Sequence, residues 1–155
     1  MHCFDIKPFE GALPLTFGLP IAAVHEQLGT PELVSQIWDK SGHTHYWLES
    51  AVNIGFNNTG ALMHFGFAPG PYRLQLDGVP VWDHDLQHDD PNPKLLKLDP
   101  SPIEYVGFLI FLELGVTTTG YHDGDGSQRA LTAFRRGDYD DAVPKSSQPD
   151  LSLYG

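Results

Sequence analysis

The stretch VNIGFNNTGALMHFGF, residues 52–67, decides how this chain folds. Val52, Ile54 and Phe56 alternate with Asn53 and Gly55, and Met63, Phe65 and Phe67 alternate with Leu62, His64 and Gly66. A period of two puts the apolar set of each run on one face of a strand. Asn57-Asn58-Thr59-Gly60 stands between the runs and supplies a turn, so the two strands predict an antiparallel hairpin.

Outward from the hairpin the pattern repeats. Residues 33–38 and 43–48 read as two further strands, with Asp39-Lys40-Ser41-Gly42 and Glu49-Ser50 as the short connections of a meander. Residues 72–76 alternate Tyr72, Leu74 and Leu76 with Arg73 and Gln75, which predicts a fifth strand for the same sheet. Upstream, LPLTFGLPIAAVHEQLGTP (residues 13–31) carries Pro20 at a helix start, Ile21, Val24 and Leu28 on one face, and Gly29 with Pro31 at the end. This short helix is expected to cover one face of the sheet.

Residues 77–93, DGVPVWDHDLQHDDPNP, are acidic and bounded by prolines, and read as an exposed loop or linker. In the second half, Ser101 as N-cap and Gly115 as C-cap bracket an apolar run over 102–114. That run predicts a buried helix, with a central strand as the alternative. Residues 116–121 and 129–135 read as strands, and the tail 143–155 reads as loosely held. Pro20-Ile21-Ala22-Ala23-Val24 is echoed by Pro102-Ile103-Glu104-Tyr105-Val106, each followed by a Leu-Gly pair, which suggests an internal duplication of 13–80 in 94–142. The expected fold is α+β: one domain over 1–142, an antiparallel sheet from two helix-plus-meander units, helices on one face.

Composition bounds the function. The 155 residues carry 20 acidic and 9 basic side chains, a net charge of −11, which disfavours a phosphate backbone as partner and favours a basic protein. Cys3 stands alone, so no internal disulfide forms, and no basic-then-apolar leader or apolar run of membrane-spanning length is present; a cytoplasmic address and no membrane partner are expected.

Eight histidines raise metal chemistry. His84 and His88 have the spacing of two ligands on one helical turn, but prolines flank them and no glutamate follows His84. His43 and His45 share a strand face, with only the distant His64 as a third ligand. Asp123-Gly124-Asp125-Gly126 matches part of an EF-hand loop, yet Tyr121 and Thr132 occupy the positions of two required ligands. A nucleophile elbow and phosphate-cradling glycine loops are missing. No metal or cofactor is expected.

The segment LPLTFGLPIAAVHEQLGTP with HYWLESAVNIGFNNTGALMHFGF resembles small bacterial helix-plus-meander domains of the β-lactamase inhibitor protein type. It also resembles small proteins encoded beside bacterial toxins that act as immunity proteins. The resemblance covers residues 13–67 with a fainter second copy at 100–136, and it implies a non-enzymatic protein that binds another protein. The surface expected to do so comprises Trp82, Asp83, Asp85, Asp89 and Asp90 with Tyr121, His122, Asp123 and Asp125: aromatic anchors among carboxylates, covering a basic toxin's active site. The alternatives are a metal-assisted hydrolase using His and Asp side chains of the 83–90 and 121–125 loops, and a small-ligand module.

Overall fold

The computed structural model describes residues 2–82 and 90–155 and has a mixed α+β fold. The chain runs through β1 (His2–Lys7), β2 (Gly11–Leu13) and β3 (Leu15–Thr16) into α1 (Ile21–Leu28). A meander follows: β4 (Leu33–Gln36), β5 (Gly42–Trp47), β6 (Val52–Asn57) and β7 (Leu62–Phe67). After the hairpin of β8 (Tyr72–Leu76) and β9 (Val79–Trp82), α2 (Asn92–Leu98) leads into a second meander of β10 (Ile103–Tyr105), β11 (Phe108–Phe111), β12 (Val116–Thr119) and β13 (Ala130–Phe134).

The two meanders form one eight-stranded antiparallel sheet, in the order β10-β11-β12-β13-β7-β6-β5-β4, joined at its centre where Leu131 pairs with Phe67 and Ala133 with Phe65. The other sheet has five strands, β3-β2-β1-β8-β9, and β1 runs parallel to β8. The apolar faces of the two sheets share one core. Phe4 of β1 lies 5.2 Å from Phe67 and 6.0 Å from Tyr72, and Phe67 and Tyr72 are 5.7 Å apart, centroid to centroid. All three are fully buried, each side chain contributing about 1.5–3 kcal/mol by leaving water. Among the described residues no helix is long and apolar enough to cross a membrane.

Several expectations are corrected. Residues 72–76 form a strand, but of the five-stranded sheet, where β1 is their neighbour. Residues 77–93 are not all loop: Val79–Trp82 is β9, and Asn92 begins α2. The run over 102–114 is a hairpin rather than a helix, because Gly107 (φ 85°) follows Val106 (φ 44°) and the two positive values form a tight reversal between β-branched and aromatic residues. The echoed Pro20 and Pro102 pentapeptides therefore adopt different structures, the first entering α1 and the second forming β10 and its turn. In β7, Leu62 is buried and Met63 only half-buried, because the register shifts at Gly55 and Phe56 so that Phe56 pairs with Leu62.

The tail is held rather than loose. Ser147 exchanges two 2.9 Å backbone hydrogen bonds with Glu104 on the outer side of β10, Leu151 packs on the core, and the Tyr154 hydroxyl joins a hydrogen-bonded network.

Candidate functional site

Trp82 ends β9 and Tyr121 follows β12, and the fold brings their rings to 6.2 Å, where Trp82 also meets Tyr72 at 6.2 Å. Trp82 and Tyr121, singled out together in the sequence, thus converge. Their aromatic residues do not serve as exposed anchors, however: Trp82 is 4% and Tyr121 5% exposed, because both follow strands whose inner faces build the core. The Arg129 guanidinium sits 5.5 Å from the Tyr121 ring centre. Burial pushes the Tyr121 hydroxyl well above its ordinary pKa, so it stays neutral.

His122 also turns inward. Its side chain is 3% exposed and its Nε2 lies 2.7 Å from Glu104 Oε1, which ties the loop to β10. Asp123 and Asp125 are exposed and shape their own turn. Asp123 Oδ1 accepts from the Asp125 backbone N–H at 3.1 Å, and Asp125 Oδ1 accepts from the Ser127 N–H at 3.3 Å and its hydroxyl at 2.6 Å. Gly120 (φ 80°) admits the turn, since a Cβ there would lie 2.5 Å from the Arg129 nitrogen.

Asp90 is committed to structure. Its Oδ1 accepts the Asn92 N–H at 2.8 Å and its Oδ2 accepts the Tyr154 hydroxyl. Asn92, fully buried, donates from Nδ2 to the Tyr154 hydroxyl at 2.9 Å and accepts from Thr118 Oγ1 at 2.7 Å. Burial, and then the Asp90 carboxylate, raise the Tyr154 pKa. Four side chains thereby lock α2, β12 and the C-terminal turn together. Asp83, Asp85 and Asp89, with His84 and His88, lie outside the described residues.

One open feature among the described residues is a notch of about 250 Å³ between the β10–β11 turn and the loop after β12, lined among others by Val106, Phe108, Thr119, Asp123 and Asp125. Val106 projects at its rim, 73% exposed. No family model, curated protein or solved structure matches this chain. Two carboxylates held in a hydrogen-bonded turn beside apolar Val106 and Phe108 suit a cationic side chain with an aliphatic stem.

Among the described residues, the other histidines do not gather into one cluster. His45 Nδ1 lies 2.9 Å from His25 Nε2, under α1, whereas His43 is exposed and His64 stacks over Gly55, whose side of β6 is opposite to that of Ile54, the partner of His45. Among the described residues no three His, Cys, Asp or Glu side chains are grouped to hold a metal ion. Sequence reasoning missed Asn92, Tyr154 and Val106. The Val-Gly pair at 106–107, a two-residue turn between apolar strands, was the available signal for the last.

Proposed function

We propose that this chain is a non-enzymatic protein-binding domain, an immunity protein of the bacterial cytoplasm that inhibits a toxin by occluding its active site. The observation that carries the reading is the exposed Val106 set beside Asp123 and Asp125 in one notch. Hydrogen bonds within the turn hold Asp123 and Asp125, so the carboxylates are presented with little entropy left to lose on binding. A net charge of −11 steers a basic toxin toward this face.

In this reading the chain is a tandem of two helix-plus-meander units, α1 with β4 to β7 and α2 with β10 to β13, which meet through β7 and β13. The element order supports the tandem arrangement and supplies the link to the immunity-type and inhibitor-type resemblance of the sequence.

Co-expression with a toxin encoded beside the gene tests the proposal. Growth rescue by the chain, lost on Asp123→Asn with Asp125→Asn, is the expected result. A chain that neither rescues growth nor binds that toxin sinks it.

A further inference from the structure

The four sheet edges are not treated alike. β3 is two residues long, β9 carries Pro80, and β10 is covered by the tail through Ser147. All three are devices that keep an edge from pairing with another chain. β4, at the far end of the eight-stranded sheet, has none of them: residues 33–38, Leu-Val-Ser-Gln-Ile-Trp, contain no charge, no proline and no covering segment among the described residues. Leu33 is 51%, Val34 49% and Trp38 92% exposed, and Leu48 beside them 60%.

The edge is also rigid. The Ile37 N–H donates to the Gly42 carbonyl at 2.9 Å, the Lys40 N–H to the Ile37 carbonyl at 2.8 Å, Asp39 Oδ1 accepts the Ser41 N–H at 3.0 Å, and Asn58 Nδ2 donates to the Lys40 carbonyl at 3.0 Å. Trp38 is thus presented on a fixed turn. Because Ile37 points its N–H toward β5, the alternating ladder turns the N–H and carbonyl groups of Val34 and Gln36 outward, away from the sheet.

We propose that two copies of this chain pair through β4, antiparallel about a two-fold axis at Ser35, into one continuous sheet. In that register Val34 of each copy meets Gln36 of the other, and all four outward-facing N–H and carbonyl groups per copy are satisfied. Charge at the two ends is complementary in part: Glu32, whose Oε2 accepts the Leu48 N–H at 3.0 Å, lies at one end, and Lys40, which has no ion pair among the described residues, lies at the other beside Asp39, whose Oδ1 is held by the Ser41 N–H, so the antiparallel arrangement brings Lys40 of one copy toward Glu32 of its mate. Trp38 of each copy then lies opposite the Glu32 stem of the other, on the face that carries Val34. This edge is separate from the notch, and the pairing stands whether or not the notch binds a toxin.

Two copies of net charge −11 repel at long range, so added salt should strengthen this pairing, whereas it should weaken attachment of a basic partner. Sedimentation velocity on the full chain from low to high micromolar concentration, at low and high salt, reads both. The expected result is a monomer–dimer equilibrium favoured by salt and weakened about tenfold or more by Trp38→Ala and by Val34→Lys. Both residues are exposed, so the fold survives these changes, and hydrogen exchange provides a second measurement: the Val34 and Gln36 amides should become protected as concentration rises in the unaltered chain only. A monomer at every concentration and salt, or a dimer indifferent to both substitutions with those amides unprotected, overturns the proposal.

Discussion

His25 of α1 and His45 of β5 share one hydrogen bond, Nε2 to Nδ1 at 2.9 Å, so one ring donates and the other accepts. The pair sits against Trp47 and Phe56, the ring centre of His45 lying 4.7 Å from that of Phe56. The helix is tied to the sheet by a contact that works only while at least one ring is neutral.

Burial, and then the charges of His25 and His43, hold the His45 pKa below its ordinary 6.5, and burial does the same for His64. The unfolded chain therefore binds these protons more readily than the folded one. Stability is fully present above about pH 6.5 and is lost as pH falls from there toward the folded pKa values. Urea midpoints across this window should decline with acidification, and His45→Gln should flatten the decline.

Asn92→Ala leaves the buried Thr118 hydroxyl without its partner and the Tyr154 hydroxyl with Asp90 alone. A loss of about 2–4 kcal/mol is expected in urea unfolding. Tyr154→Phe, which keeps the ring, should cost about 1 kcal/mol. It should also hasten proteolysis of the last residues.

Val106 holds a left-handed φ of 44°, a conformation β-branched residues resist. Val106→Asn creates the Asn-Gly pair that such turns prefer and should raise stability by about 1 kcal/mol. If Val106 also anchors a toxin, the same substitution weakens binding. Thermal unfolding and affinity would then move in opposite directions.

Asp123→Asn with Asp125→Asn keeps the Oδ1 acceptors of the turn and removes two charges. Association with a basic partner should slow and lose part of its salt dependence, with the melting temperature unchanged within about one degree. Asp90 is a poor choice for the same test, since its carboxylate holds Tyr154 and its loss destabilises the fold.

The hairpin of residues 52–67 was legible because alternation there reports a sheet with a single buried face, and it failed only at the bulge that swaps Leu62 for Met63. The run over 102–114 was not legible by periodicity. Ile103, Phe108, Ile110 and Phe111 all find apolar partners, so the pattern has no polar face to reveal its period, and Gly107 was the sole mark of the turn. β1 was missed although Phe4 and Ile6 alternate with Cys3 and Asp5, since its hairpin partner β2 is only three residues long and shows no alternation of its own. For the candidate site, the convergence of Trp82 and Tyr121 depended on the packing of two sheets, which local pattern does not encode; the same packing buried them.

The parallel pairing of β1 with β8 sets an order of events during synthesis. Phe4 and Ile6 leave the ribosome long before Leu74 and Leu76, the residues they pair with, have been made. The first meander has local partners throughout and can close while β1 still waits. A nascent chain halted before Tyr72 would hold β1 paired with β2 alone, its other edge open and apolar until β8 is made, and at this stage the chain is most exposed to aggregation.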